Sequence, residues 1–397
     1  MGDVSVAPIL ERATDWSVLP RIGIGWQITH THGWGLHGWH LAMRLLERRI
    51  AVPSTQYKRP DPGSLPHPVE AYVPGQPMLR GGHNQPYEPG LVGKRDALFQ
   101  VYEDMTLRSR DVQYLRSFGQ RVITVSQWNA DHLNSVGIPA KCLHLGVDPE
   151  MFRPRPKAQR FGEDRFVIFS GGKVELRKAP DIVLTAFRAF HQRHPDALLV
   201  TMWHNFWPDT AKGLTHSPYA CGVPESVIDA NRLKPTITRD CIARWVRAFG
   251  IPAEAHEELG IIGRMPLAQL FASVDVGLFP NRCEAGTNMV AMEALSSGIP
   301  CILSNNSGHR DLIHYPIPCF ALEKSKGCDF PDANIMWGES DVENVVEQLE
   351  NVYQNRGMAG LTGLRAHQAM KDRWSWTARM DEQIDTLELG TLRDEGA

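Results

Sequence analysis

The residues from 274 to 303 constrain the fold more than any other stretch, because they contain a complete strand–loop–helix–strand unit. Residues 274–279 form a short apolar run that ends at a proline, which is typical of a buried strand. A helix follows, which we expect to be capped by Thr287 or Asn288 and ended by a Gly-Ile-Pro sequence. Residues 299–303 then predict the next strand, so the stretch indicates an α/β sheet.

The loop of this unit predicts an anion site. Its sequence Glu-Ala-Gly leads into the amino end of the helix, where unpaired N–H groups and partial positive charge suit a phosphate. Glu284 lies just before the helix and Glu293 lies two turns inside it. Carboxylates in these places suit a ligand that also carries hydroxyl groups. The alternative is an ordinary αβ unit with two surface glutamates.

A second loop carries cationic residues in a similar setting. Residues 166–170 predict a buried strand, and the loop GGKVELRKAPD after it places Lys173 and Lys178 ahead of a helix. Fixed cations stabilise two phosphates more strongly as they leave with extra negative charge than in the ground state. A solvated Lys/Arg-rich turn is the other interpretation.

The first predicted strand, residues 21–29, runs into a glycine-rich loop ahead of a helix expected from about Trp39. Gly33, Gly35 and Gly38 spell G-x-G-x-x-G, the dinucleotide fingerprint. That fingerprint also needs an acidic residue closing the second strand, and the predicted second strand ends without a carboxylate. A nicotinamide- or flavin-dependent oxidoreductase is therefore a less favoured alternative.

The same loop contains four histidines. Imidazoles are zinc ligands, but this spacing matches no metal motif, and no cysteine or carboxylate is interleaved. We interpret the segment as a polar loop facing a cleft, in which one imidazole could hydrogen-bond a sugar or transfer a proton. The histidines are His30, His32, His37 and His40.

Length and charge narrow the function classes. A chain of 397 residues is too long for one ordinary core and fits two domains. The net charge of −3 comes without runs of lysine or arginine, which argues against a nucleic-acid partner. The seven cysteines form no C-x-x-C pair and fit a reducing compartment. The first residues predict no signal peptide, and no apolar run reaches membrane-spanning length. We expect a cytoplasmic protein, with peripheral membrane contact left open.

The two loops resemble the donor-binding signature of the retaining glycosyltransferases of family 4, also called group 1 glycosyltransferases. That family shows Glu, seven residues and Glu, whereas eight residues separate Glu284 from Glu293 here. It also shows G-R, four residues and K-G, and the present chain keeps this separation with Lys173 and Lys178 at the basic positions. The segment GVDPEMFRP is similar to the end of the family's first domain.

The resemblance implies the GT-B fold, in which two facing Rossmann-like α/β domains enclose a donor-binding cleft. The first domain, on the acceptor side, would comprise residues 1–157, and the second, on the donor side, residues 158–372. Residues 373–397 would form a C-terminal helix that crosses back to the first domain, with Trp374 and Trp376 as anchors there or within the second domain.

The resemblance further implies an enzyme of the hexosyltransferase type that uses a nucleotide-diphosphate sugar. Lys173 and Lys178 would stabilise the leaving diphosphate, Glu293 would bind the ribose hydroxyls, and Glu284 would orient the sugar. Backbone and side-chain contacts to the donor are expected from Gly35, Gly172, Arg264, Gly286, Thr287 and Asn288.

The resemblance implies no divalent metal and no cofactor. It leaves the acceptor open: a glycan, a lipid-linked sugar or a small molecule. We expect the Pro- and Gly-rich residues 53–93 to supply acceptor-facing loops. Glu103 stands near the place where many family members carry a histidine. Alternatives are another GT-B enzyme, such as a sugar epimerase or phosphorylase, and a non-catalytic relative that binds nucleotides or glycans.

Overall fold

The computed structural model describes residues 20–26, 28–30, 33–52, 77–83, 95–103, 107–205, 207–219, 237–328 and 336–389. The chain divides into two compact units. The first comprises residues 1–146 and 376–397, and the second comprises residues 147–375. No helix among the described residues has the length and apolar composition needed to cross a bilayer.

The first unit contains a five-stranded parallel sheet with helices. Its strands stand in the order β1-β2-β3-β4-β5, so each strand pairs with its predecessor in the chain. In chain order its elements before residue 146 are β1 (Gly23–Ile24), α1 (Gly33–Glu47), β2 (Met78–His83), β3 (Ala97–Val101), α2 (Ser109–Arg116), β4 (Val122–Thr124), α3 (Gln127–Ser135) and β5 (Ala140–Cys142).

The glycine-rich segment differs from the prediction. Helix α1 begins at Gly33 rather than near Trp39, so residues 33–38 of the expected loop form the first turns of the helix. The glycines serve close packing there: a Cβ at Gly35 would lie 2.1 Å from Cγ2 of Thr29. The prediction of a loop conformation at Gly35 is wrong, because these helical turns pack directly onto the chain that follows β1. Contact of Gly35 with the donor stays a prediction.

The second unit contains a six-stranded parallel sheet in the order β11-β10-β9-β6-β7-β8. Its main elements are β6 (Phe166–Lys173), α4 (Pro180–His191), β7 (Ala197–His204), α5 (Arg239–Ala248), β8 (His256–Glu258), α6 (Arg264–Leu270), β9 (Val276–Phe279), α7 (Met289–Ser296), β10 (Cys301–Asn305), α8 (His309–His314), β11 (Phe320–Lys324), α9 (Val342–Gln354) and α10 (Arg356–Arg373). Lys326–Gly327 and Gly338–Glu339 form the small antiparallel pair β12 and β13.

Successive residues of β6 enter opposite cores of this unit. Phe166 and Ile168 belong to one buried cluster, and Val167 and Phe169 belong to the other. This alternation is the period of a strand whose two faces are both covered. Because β9 pairs with β6, the loops that follow these two strands leave the same edge of the sheet side by side. This adjacency positions the candidate site.

The final helix, α11 (Trp376–Thr386), belongs to the first unit. Trp374, just before this helix, and Trp376, its first residue, have different surroundings. Trp374 is buried in a core of the second unit. Trp376 stacks on His40 of α1, with ring centroids 4.3 Å apart. Arg44 of α1 also makes paired hydrogen bonds of 2.8 Å to Asp381 of α11.

Candidate functional site

The centre of the candidate site is an ion pair between Lys178 and Glu284. The Nζ atom of Lys178 lies 2.5 Å from Oε1 and 2.7 Å from Oε2 of Glu284. Lys178 ends a 3-10 turn, Leu176–Lys178, that follows β6. Ala179 then adopts a left-handed conformation, with φ of 53°, which turns the chain into α4. The structure thus joins two residues that the sequence analysis assigned to the site.

Three further charged residues extend this ion pair into a network. Arg177 lies 2.6 Å from Oε1 of Glu175 and 3.6 Å from Oε2 of Glu284. Nζ of Lys173 lies 4.0 Å from Glu175. The sequence analysis missed Glu175 and Arg177, although both lie within the loop motif between the two lysines. The signal that could have found them is the alternation of charge along that loop.

Lys173 takes a different position from Lys178. Its Nζ atom lies 4.8 Å from the ring centroid of Trp207, an indole that is 57% exposed. Gly172, directly before it, has φ of 148°, a conformation that L side chains rarely adopt. A Cβ on Gly172 would also lie 3.7 Å from the side chain of Lys178. The glycine therefore permits the sharp exit of the loop from β6.

Glu284 is held as an anion in a buried place. Burial acts to raise the pKa of its carboxyl group, but the charges of Lys178 and Arg177 outweigh burial and lower the pKa. The amide of Asn281 donates a further hydrogen bond to Glu284. The backbone N–H of Glu284 donates to the hydroxyl of Ser307 at 2.8 Å. The carboxylate is thus fixed in charge and orientation.

The helix end beside Glu284 has the predicted cap. Asn288 has φ of 58°, and its side chain accepts a hydrogen bond of 3.4 Å from the backbone N–H of Ala291. His309 links the cap to β10, since its ring nitrogens lie 3.1 Å from Nδ2 of Asn288 and 2.8 Å from Oγ of Ser304. Burial lowers the pKa of His309 to about 4, so its imidazole is neutral at pH 7.

Thr287 and Gly286 serve local packing. The hydroxyl of Thr287 lies 3.0 Å from the sulfur of Met292 inside the helix. Gly286 packs against Gly308, whose backbone N–H donates to the carbonyl of Glu284 at 3.0 Å. A Cβ on Gly308 would lie 1.6 Å from the carbonyl oxygen of Gly286. The backbone of this loop is therefore set by direct contact with the next loop along the sheet edge.

Glu293 forms a separate pair with Arg264. Both Nε and Nη2 of Arg264 lie 3.2 Å from Oε1 of Glu293. Burial raises the pKa of Glu293 to about 7, and Arg264 opposes this rise. The guanidinium also lies 5.1 Å from the ring centroid of Phe152. The two signature glutamates thus have different protonation behaviour, since Glu284 is held ionised and Glu293 titrates near neutral pH.

Two of the four histidines, His37 and His40, lie in helix α1 and not in a polar loop. His37 is fully buried in α1, and one ring nitrogen lies 2.8 Å from Oε1 of Gln383. Burial lowers the pKa of His37 to about 4, while the bond to Gln383 opposes the shift. Because His40 also lies in α1 and stacks on Trp376, the prediction of a cleft-facing loop is wrong for these two residues. His32 lies outside the described residues, as does most of the segment 53–93 predicted to face the acceptor.

A histidine, His83, lies beside Glu103, the position near which many family members carry a histidine. Nε2 of His83, at the end of β2, lies 3.3 Å from Oε1 of Glu103. His83 is half-exposed, whereas Glu103 is more protected. His83 is the last residue of β2 and Glu103 follows β3, and the pairing of these two parallel strands explains their proximity. The sequence analysis singled out Glu103 but missed His83.

Comparison with known proteins gives a family match for part of the chain and a fold for nearly all of it. Residues 264–382 match the family described as Family 4 Glycosyltransferase in conflict systems. This range includes Arg264, Glu284 and Glu293. No curated protein matches the chain significantly.

Several solved structures have the same architecture. Sucrose-phosphate synthase from Thermosynechococcus elongatus has a TM-score of 0.64 at 12% identity, covering 93% of this chain and 98% of that chain. HepE from Anabaena, in complex with UDP and glucose, has a TM-score of 0.63 at 12% identity, covering 93% and 99%. WaaG, a glycosyltransferase involved in lipopolysaccharide biosynthesis, has a TM-score of 0.61 at 12% identity, covering 92% and 99%. These likenesses confirm the predicted fold class.

Proposed function

Because residues 264–382 match a family 4 glycosyltransferase and the chain has the GT-B fold, we propose that it transfers a sugar from a nucleotide-diphosphate sugar to an acceptor hydroxyl with retention of configuration. The observation that carries the proposal is the buried contact between Lys178 and Glu284 at the edge of the second sheet. HepE, which shares the fold, has been solved with UDP-glucose, and this supports the donor class.

The network supplies more positive than negative charge. Lys173, Arg177 and Lys178 contribute three cations, against the carboxylates of Glu175 and Glu284. A bound diphosphate would recruit Lys173 and Lys178 through its oxygens, because charge-assisted hydrogen bonds to phosphate are strong. The cations would stabilise the leaving diphosphate most as its charge grows. We propose on this ground that transfer proceeds without a divalent metal.

The two signature glutamates would bind different parts of the donor. Glu284, ionised by its cationic neighbours, would accept hydrogen bonds from sugar hydroxyls and orient the ring. Glu293, whose pKa is about 7, would bind the ribose hydroxyls and would be released from part of its contact with Arg264. Arg264 would then face the base or phosphates. The capped helix end at Thr287 and Asn288 would add its N–H groups to the diphosphate.

The proposed reaction takes place on one face of the sugar. The bond between the anomeric carbon and the diphosphate oxygen breaks, and the acceptor oxygen bonds to the same face. The departing phosphate oxygen takes the proton of the acceptor hydroxyl, so no protein nucleophile is required. Glu284 acts as an orienting residue in this scheme.

A ligand screen tests the proposal. We would measure thermal unfolding with UDP, GDP, ADP and their glucose or mannose conjugates in the presence of EDTA. A ligand at one hundred times its dissociation constant should add roughly 2.7 kcal/mol to the free energy of unfolding. Hydrolysis of the sugar nucleotide that stabilises the protein would then measure turnover without a known acceptor.

Matched variants identify the site. Lys178→Ala and the milder Lys178→Arg should lose most of the donor hydrolysis, whereas Lys371→Ala, an exposed lysine 3.7 Å from Glu150, should keep it. Normal hydrolysis in folded Lys178→Ala would refute the assignment. Glycoside cleavage that needs inorganic phosphate and no nucleotide would indicate a phosphorylase instead.

A further inference from the structure

The second unit contains a cavity of about 430 Å³ that the proposed reaction does not use. Its lining includes Phe166 at the start of β6, Asp275 just before β9 and Pro300 just before β10. These positions are the amino ends of parallel strands, whereas Lys178 and Glu284 follow the carboxyl ends. The cavity therefore lies at the opposite edge of the sheet from the candidate active site, and its volume is in the range of small-molecule pockets.

The inner wall of the cavity is apolar. Buried side chains from several elements form it, and two leucines of α10 stand at its mouth. Leu361 and Leu364 are 49% and 51% exposed. Half-exposed leucines beside an apolar cavity provide a surface suited to a hydrocarbon group. The buried apolar members of the wall include Phe166, Phe271, Val274, Ile299 and Val352.

Two glycines of α10 keep the cavity open. A Cβ on Gly357 or Gly360 would meet no atom within 4 Å. Neither glycine has a positive φ, so alanine would be more favourable than glycine at either helical position. Gly363 in the same helix is different, because its Cβ would lie 2.1 Å from the carbonyl oxygen of Gly298. Packing explains Gly363, whereas Gly357 and Gly360 leave space in front of the cavity.

The rim of the cavity is cationic. Arg153, Arg155, Lys157 and Arg356 line it, together with a single carboxylate, Asp275. Nζ of Lys157 lies 2.6 Å from Asp275, so these two charges compensate each other.

The three arginines of the rim differ in their partners. Arg356 lies 3.5 Å from Asp196. Arg155 donates to the carbonyls of Met151 and Arg153 at 3.0 and 3.2 Å. Within the described part of the chain, Arg153 and Arg155 form no ion pair with a carboxylate, so their charge is available to a ligand.

We propose that this cavity binds an amphipathic anion, a hydrocarbon chain or ring that ends in a carboxylate or phosphate group. The hydrocarbon part would fill the apolar cavity beneath Leu361 and Leu364, and the anionic group would bind Arg153 and Arg155. An acidic peptide would match the rim but would leave the apolar cavity unfilled. A second copy of the chain would fit the cavity only if a projecting part of its surface were both apolar and acidic.

Calorimetry with single-chain amphiphiles tests this proposal. Dodecanoate and dodecyl phosphate, below their critical micelle concentrations, should bind the full chain with a stoichiometry of one. Dodecanol should bind at least tenfold more weakly, and dodecyltrimethylammonium should bind more weakly still, because only the anions pair with the rim. Equal affinity for the cationic amphiphile would overturn the proposal.

Variants separate a binding site from a packing defect. Gly360→Leu should fill the cavity, abolish binding of dodecyl phosphate and raise the melting temperature. Arg153→Ala with Arg155→Ala should lower the affinity at least tenfold at unchanged melting temperature. Met358→Leu, on the exposed face of the same helix, is the matched control and should bind normally. Unchanged affinity in folded Gly360→Leu would refute the site.

Two other outcomes would assign the surface differently and would also overturn the proposal. One is binding to phosphatidylglycerol vesicles without binding to either monomeric amphiphile, which would indicate a membrane surface. The other is a dimer in solution that Gly360→Leu dissociates, which would indicate a second copy. Donor hydrolysis should be the same in Gly360→Leu and the wild type, so this test is independent of the proposed transferase chemistry.

Discussion

The ammonium group of Lys178 contacts both carboxylate oxygens of Glu284, at 2.5 and 2.7 Å, although 106 positions separate the two residues in the chain. Each follows a strand of one sheet, and these strands, β6 and β9, are neighbours. The contact is buried, since the side chains are 15% and 5% exposed. A charge pair of this kind is sensitive to the loss of either partner, because the remaining charge stays buried.

The first prediction concerns the energetic coupling of this pair. Lys178→Ala and Glu284→Ala should each lower the free energy of unfolding by about 3 kcal/mol, since each leaves a buried charge with fewer partners. The double variant should lose less than the sum, by about 1 to 3 kcal/mol. Urea denaturation of the four proteins measures this coupling. Additive losses would show that the two side chains do not interact in solution.

The second prediction concerns the contact between Gly308 and Gly286. Gly308→Ala should destabilise the protein by about 3 kcal/mol, because its Cβ would lie 1.6 Å from a backbone carbonyl that cannot rotate away. The φ of Gly308 is −67°, so the cost is steric. Gly357→Ala is the matched control, and it should stabilise by roughly 0.5 to 1 kcal/mol because space is open there. Equal melting temperatures for the two variants would contradict this view of the loop.

The third prediction concerns the cap of α7. Asn288→Ala should cost about 2 kcal/mol, because it removes the side-chain acceptor for Ala291 and because alanine tolerates φ of 58° less well than asparagine. Asn288→Gly should cost about 1 kcal/mol less, since glycine adopts this conformation without strain. Chemical denaturation would rank the variants, and donor affinity should fall in the same order. A glycine variant that is no more stable than the alanine variant would disprove the role of backbone strain.

The fourth prediction concerns Glu258, which is buried at the end of β8. Its carboxylate accepts hydrogen bonds from the hydroxyl of Thr201 at 2.5 Å and from the backbone N–H groups of Trp203 at 3.1 Å and Gly260 at 2.6 Å. Burial nevertheless raises its pKa to about 7 from the ordinary value of 4.5. Between these two values the folded protein binds more protons than the unfolded chain. Glu258 therefore makes stability fall as the pH rises through this window.

Glu258→Gln should remove this pH dependence. The free energy of unfolding of the variant, relative to wild type, should rise by roughly 3 kcal/mol between pH 4.5 and pH 8. Urea denaturation across this range measures the difference, and Glu254→Gln, an exposed position in the preceding turn, is the control. A difference that stays constant with pH would show that Glu258 is ionised throughout.

Local patterns in the sequence were sufficient to predict the elements of the second unit that lie beside the candidate site. The apolar run before the signature forms β9, Asn288 caps α7 as predicted, and the strand that begins at Phe166 leads into the lysine loop. These features depend on residues within a few positions of one another, where backbone propensity and side-chain capping act directly. The order of these elements along the chain indicated an α/β sheet, and the resemblance to family 4 implied the GT-B fold class.

The secondary structure predicted for the glycine-rich segment from its local sequence was wrong. The sequence G-x-G-x-x-G matched a loop motif, yet Gly35 lies in helix α1. Its missing side chain allows the helix to contact Thr29 closely. A sequence motif shows which residues are small, but it does not show which part of the protein packs against them. The same limit applies to His37, whose polar side chain suggested exposure but whose partner, Gln383, lies 346 positions away.

The chemistry of the candidate site depended on contacts between distant parts of the chain. The sequence alone determined that two cationic positions and two glutamates stand beside predicted strand ends. Three-dimensional packing determined that Lys178, rather than Lys173, contacts Glu284, and that Arg177 joins them. It also made Glu293 titrate near pH 7, through burial. The physical reason is that strand order and desolvation are set by the whole sheet and its covering helices, whereas caps and strand periodicity are set by neighbouring residues.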